Sequence, residues 1–266
     1  MRALVIALAA FAFATPAAAD RFALEYDGAA LGLVPLGRIN VDATVTPRGY
    51  RITTRIRSSG LMNLFERTDL TATAAGRIDE SGVSWRRYEL DHRYSRKHRI
   101  ISMRAGADGA VVAEITPNYR LWGEPPTSEA QQRISRDPLS TMMAMAVDVA
   151  MNRRCAGAYP TFDGRFHYLM ELSGGRFDDY DGGGYAGEIL KCDLAYIAVA
   201  GFEASDRGRQ RIPEGEVWFA LAEQSHFAPP VRIETPLSAG GAVVRLTSWL
   251  RAEVEVADAI AEDASP

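Results

Sequence analysis

The side chains best suited to chemistry are few and scattered. The histidines are His92, His98, His167 and His226. His92 and His98 flank a short turn and could meet across a hairpin, but no Cys or further His stands at ligand spacing to complete a zinc site. Two residues on a wet strand face is the plainer reading. Asp178-Asp179-Tyr180-Asp181 runs into three glycines. It lacks the loop length and distal Glu of an EF-hand, and it reads as a solvated hairpin loop. Asp163-Gly164-Arg165 reads as a tight turn. The chain carries no Gly-x-Ser-x-Gly elbow, His-Glu-x-x-His, Gly-rich phosphate loop or Cys-x-x-Cys. The sequence therefore predicts no cofactor, no metal and no enzyme. One route to catalysis stays open, a site assembled from residues distant in sequence.

Three other groups of residues could bind without reacting. Cys155 and Cys192 are the only cysteines, and two alone in an exported chain are expected to pair; a free thiol pair or half a metal site is the alternative. Leu139, Met142, Met143, Ala146 and Val149 recur at helical spacing. With Met145 and Met151 they make a flexible, polarisable surface that could line an apolar groove, or simply pack as core. Arg86, Arg87, Arg93, Arg96, Lys97 and Arg99 are interleaved with Trp85, Tyr88 and Tyr94, with only Glu89 and Asp91 opposing them. Such a stretch could attract lipid phosphates or an acidic partner, or be a solvated strand face.

The elements that must position these groups are nearly all strands. In Arg38–Thr46, Ile39, Val41, Ala43 and Val45 alternate with polar residues; in Tyr50–Ser58, Tyr50, Ile52, Thr54 and Ile56 do the same. Thr46-Pro47-Arg48-Gly49 turns between them, so the pair reads as an antiparallel hairpin with one wet face. Further strands are expected at 22–26, 67–78, 83–94, 99–105, 110–116, 165–172, 185–199, 215–222, 228–235 and 242–250. Gly28–Pro35 reads as a loop or edge piece, Gly60–Phe65 as a compact apolar connection, and Pro117–Ser135 as a long polar segment. Glycine pairs at 174–175 and 240–241 and the triplet at 182–184 break the chain between strands. One helix stands out near residues 138–152: Asp137 can cap it, Pro138 suits its first turn, and it is apolar enough to require burial. The fold class is mainly β, an antiparallel curved sheet of about twelve strands forming an open barrel or sandwich around that helix.

The ends suggest a location. Met1-Arg2, the apolar run Ala3–Ala14 and Ala17-Ala18-Ala19 read as a signal peptide cleaved near Ala19-Asp20. Residues 20–251 then form a single β-rich domain, and 252–266 an acidic, frayed tail. No other apolar run is long enough to span a bilayer, so the mature protein is expected in the periplasm, peripheral to a membrane at most. The formal net charge is −4, and neither half of the chain is extreme enough to suggest nucleic acid.

Several pieces, in order, resemble an exported bacterial family, the domain of unknown function numbered 3108. They are Pro35-Leu36-Gly37, Asp137-Pro138-Leu139-Ser140, the run Cys155-Ala156-Gly157 to Arg165, Lys191-Cys192, Glu216-Val217-Trp218 and Pro230-Val231-Arg232-Ile233. The resemblance covers residues 22–250. It implies an exported, β-rich fold and supplies no catalytic residue; a looser likeness is to the concave barrels of periplasmic lipoprotein carriers. The leading expectation is non-enzymatic binding of a lipid or apolar segment in envelope maintenance. The alternative is an assembly partner that meets another envelope protein through the Arg-rich strands.

Overall fold

The computed structural model describes residues 18–32, 34–60, 63, 67–237 and 240–255. Seven strands come first: β1 (Ala18–Ala30), β2 (Val34–Thr46), β3 (Gly49–Ser58), β4 (Thr68–Asp79), β5 (Gly82–Tyr94), β6 (Lys97–Ala105) and β7 (Val111–Thr116). Two helices follow, α1 (Glu129–Ile134) and α2 (Pro138–Asn152). Six strands complete the sheet: β8 (Gly157–Phe162), β9 (His167–Gly182), β10 (Tyr185–Ala200), β11 (Gly215–Ala220), β12 (Pro230–Leu237) and β13 (Gly240–Glu255), with the one-turn helix α3 (Arg207–Gln210) before β11.

All thirteen strands belong to one antiparallel sheet, in the order β7-β6-β5-β4-β3-β2-β1-β13-β12-β11-β10-β9-β8. Sequential strands joined by short turns pair with their neighbours. The first and last strands then pair with each other, from Ala18 opposite Glu255 to Ala30 opposite Ala242. Asp20 secures that seam through Arg251, whose Nε lies 2.9 Å from the carboxylate. The sheet curls without closing. Its edges, β7 and β8, are bridged by α1, which contacts both, and a short parallel bridge from Arg136 to Thr161 ties the segment after α1 to β8.

Helix α2 lies inside the curl, against β4, β5 and β8. Met143, Met145 and Val149 have no exposed surface, and Ala144, Ala146 and Val147 have almost none. Its start is built as the sequence implies. The Asp137 side chain accepts from the Ser140 amide at 2.9 Å and from the Ser140 hydroxyl, and the Tyr50 hydroxyl donates to Ser140 Oγ at 2.6 Å. Thr141 meets Thr161 of β8 at 2.9 Å. Among the described residues no helix is long and apolar enough to cross a membrane.

The structure departs from the sequence expectations in several places. β1 continues to Ala30 and β2 begins at Val34, so little of Gly28–Pro35 is loop. No alternation in the sequence announces β8. The segment 117–135 contains α1, which no buried residue stabilises; a capping box does, with Ser128 and Gln131 satisfying each other's amides. Gly174-Gly175 does not end a strand. Both glycines lie within β9 at positive φ, where the β9–β10 register shifts around Cys192. A Cβ on Gly174 would lie 2.4 Å from Asp193 Oδ2, and one on Gly175 would touch Cys155 Sγ. The pair lets the strand pass over the sulfur bridge. Asp178–Asp181 is likewise strand and not loop. Residues 252–255, expected to fray, extend β13 against β1. Residues 1–17 of the expected signal peptide, 256–266 of the tail and residues 61, 62, 64 and 65 of the Gly60–Phe65 connection lie outside the described residues.

Candidate functional site

Strand alternation points Leu24 and Tyr26 of β1, Ile39 and Val41 of β2, and Ile52, Thr54 and Ile56 of β3 toward the interior. Opposite them, the i, i+3, i+4, i+7 face of α2 presents Leu139, Met142, Met143 and Ala146. Phe227, Pro229 and Pro230 close one end. That connection is held to the helix by the Ala228 amide, which donates to the Ala146 carbonyl at 3.1 Å. The surfaces do not meet, and a cavity of about 190 Å³ remains, lined almost wholly by carbon. Leu139, Met142, Ile39, Val41 and Ile233 are only half-buried, so the cavity opens at its rim.

Thr54, Ile56 and Leu139 also line a second, wider cleft of about 1270 Å³. Its near wall is apolar, with Leu70, Leu90 and Ile101. The cleft also carries Lys97 and Arg99, on the same face of β6 as Ile101, and Tyr119, Arg165 and Arg209. Arg99, Tyr119, Arg165 and Arg209 of the cleft form, with the buried Phe166 behind it, a row of alternating cations and rings. The Arg99 guanidinium lies 3.9 Å from the centre of the Tyr119 ring, and Arg165 lies 5.3 Å from the same ring. Arg165 and Arg209 then sit 4.7 and 5.0 Å from the Phe166 ring. These separations are within cation–π range. Arg165 is nearly buried and pairs with both Glu203 and Asp206. Asp163 accepts from the Arg165 and Phe166 amides at 3.0 and 2.8 Å, an Asx turn, and burial raises its carboxyl above the usual range.

The expected apolar groove residues divide between two surroundings. Leu139, Met142, Met143 and Ala146 line the cavity. Val149, a turn further on, is fully buried in packed core. The Arg-rich stretch is divided too. A bulge in β5 leaves Arg86 unpaired between Trp85 and Arg87, so Arg86 and Arg87 both face outward while Trp85 and Tyr88 face in. Arg93 also faces out, 3.5 Å from Asp91, and Arg96 sits in the exposed β5–β6 turn. Lys97 and Arg99, by contrast, line the interior cleft. The six residues therefore do not form one surface.

Cys155 and Cys192 are bonded, with Cα atoms 5.4 Å apart, and tie the exit of α2 to β10. His92 and His98 do not meet: β-sheet alternation turns His92 into the cleft and His98 outward, where Nε2 contacts Asp91 at 2.9 Å. Among the described residues no group of three or more His, Cys, Asp or Glu could hold a metal ion. Ser135 and His167 make a buried contact at 3.0 Å, but the Ser135 hydroxyl lies 2.6 Å from the Gln131 carbonyl, to which it donates. The contact acts as a latch from the end of α1 to β9. Sequence reasoning missed Tyr119, Arg165 and Arg209. The signals for them were the long 117–135 segment and the Asp163-Gly164-Arg165 motif, read only as loop and turn.

A profile of the family described as "Protein of unknown function (DUF3108)" matches residues 21–247. No curated protein matches the chain. Among solved structures, the chain is similar to a β-barrel-like protein of the domain of unknown function DUF1849 from Brucella abortus. The TM-score is 0.50 at 11% identity, over 87% of this chain and 98% of that one. That likeness concerns the fold alone.

Proposed function

The chain belongs to the DUF3108 family, and from that premise we propose that this member is an exported, non-enzymatic binding protein whose interior holds an acyl chain. The observation that carries the reading is the carbon-lined cavity between α2 and the inner faces of β1–β3. An apolar cavity of about 150 Å³ in a protein core stays dry and admits a benzene-sized guest; this one is larger and opens at a half-buried rim. Each methylene moved from water into it contributes about 0.8 kcal/mol, so a short stretch of chain gives useful affinity without a single hydrogen bond. Met142 and Met143 suit such a wall because their side chains adapt to an imprecise guest. The Cys155–Cys192 bond supports an oxidising compartment such as the periplasm.

Native mass spectrometry of the purified protein, with organic extraction of what it carries, tests the proposal. Acyl ligands at one per chain are expected. A protein that stays ligand-free after incubation with lauryl alcohol or laurate contradicts it.

A further inference from the structure

The proposed acyl site has a charged neighbour. Thr54, Ile56 and Leu139 are common to the apolar cavity and the cleft, so a chain lying along Met142 leads past Leu139 toward the cation–aromatic row. The charges of that row are unevenly matched. Glu203 and Asp206, the nearby acids, are both engaged by Arg165. Asp163 faces Arg165 and Arg209, yet its Oδ1 is already occupied by two backbone amides. Arg99 and Arg209 make no ion pair among the described residues, and the buried Nε of Arg99 has no hydrogen-bond acceptor there. Packing on Tyr119 and Phe166 fixes the position of both guanidiniums. Two guanidiniums held on rings, neither in an ion pair among the described residues, are preorganised for a carboxylate or phosphate.

We propose that the occupant is an anionic amphiphile, with its chain in the cavity beside Met142 and its carboxylate or phosphate head in the adjoining cleft that Arg99 and Arg209 line. This rests on the acyl-binding reading above and adds the head group to it. Two neighbours sharpen the geometry. Lys97 stands over the Tyr94 ring at 5.6 Å on the same side of the cleft, and Arg120 is an exposed cation on its lip. Both supply long-range attraction that salt screens, whereas the partly buried Arg99 is screened less.

The test is equilibrium binding of laurate, lauryl phosphate, lauryl alcohol and inorganic phosphate to the full chain, before and after Arg99→Gln and Arg209→Gln. Laurate and lauryl phosphate should bind at least about tenfold tighter than the alcohol. The double variant should lose that advantage and leave alcohol binding unchanged. Equal binding of all three lauryl compounds overturns the head-group assignment while leaving the acyl reading intact. Binding of none of them ends both. Inorganic phosphate binding as tightly as lauryl phosphate means a free-anion site and overturns the amphiphile. If the double variant fails to fold, exposed Arg209→Gln alone decides: an unchanged laurate-to-alcohol ratio overturns the role of the pair.

Discussion

Two faces of helix α2 meet the same sheet and end differently. On one face Ala144 and Met145 are buried in close-packed core. On the other, Leu139, Met142, Met143 and Ala146 look across about 190 Å³ of unfilled space. The residue types are nearly the same, so side-chain chemistry does not distinguish packed core from cavity wall. What differs is the opposing surface. β4, β5 and β8 approach the helix closely, while β1–β3 leave the cavity between themselves and the helix, and the 227–230 connection closes one end of it. A methionine-rich helix is thus compatible with either outcome, and the curvature of the sheet selects between them.

The largest expected effect is on the packed side. Replacing both Cys155 and Cys192 by Ser releases a loop of 37 residues' separation, and the chain-entropy model puts the loss at about 4 kcal/mol. Denaturant unfolding with and without reductant measures it; overlapping curves for mutant and oxidised wild type would remove the bridge from the account. Next comes the contrast between the two faces. Met145→Ala should cost about 3 kcal/mol, as for a methionine in filled core, and Met142→Ala less than about 1 kcal/mol, because the site already borders space. Equal losses would mean that the cavity is filled by the protein itself.

The foot of the helix gives a pH-dependent test. Burial pushes the Asp137 carboxyl from 3.8 up to about 7. Between those values the unfolded chain releases a proton that the folded protein retains. This group's contribution to stability is therefore full below the unfolded pKa and is lost as pH rises through the folded one. Asp137→Asn has no such dependence, and its stability relative to wild type should rise from acid to mildly alkaline pH by on the order of 1–4 kcal/mol. A difference that stays constant across this range would show that Asp137 is ionised throughout. The smallest effect belongs to the outer face: Arg93→Glu should shift stability by no more than about 0.5 kcal/mol and leave laurate binding unchanged, while changed laurate binding would place the anion site outside the curl.

Much of this architecture is legible in the chain because it depends on local patterns. Alternation in β2 and β3, the Asp137-Pro138 cap and the cavity-facing stripe of α2 all follow from periods of 2 and 3.6 residues. The failures are places where a long-range contact overrides a local signal. Gly174-Gly175 reads as a break, yet it is a bulge that passes Cys155 in the connection between α2 and β8. The run Arg86–Arg99 reads as one surface, yet a single bulge and a turn send its members to opposite faces. The row Arg99–Tyr119–Arg165–Phe166–Arg209 draws on β6, two loop segments and α3, so no sequence spacing announces it.

Calorimetric titration of laurate into wild type and Ala146→Phe, at several temperatures, tests the central claim most directly. The added ring would occupy the space beside Met142 and Met143. The account predicts one-to-one binding with a negative heat-capacity change for wild type, and loss of that binding in a variant with an unchanged melting temperature. Equal binding by the two proteins would place the ligand elsewhere and contradict it.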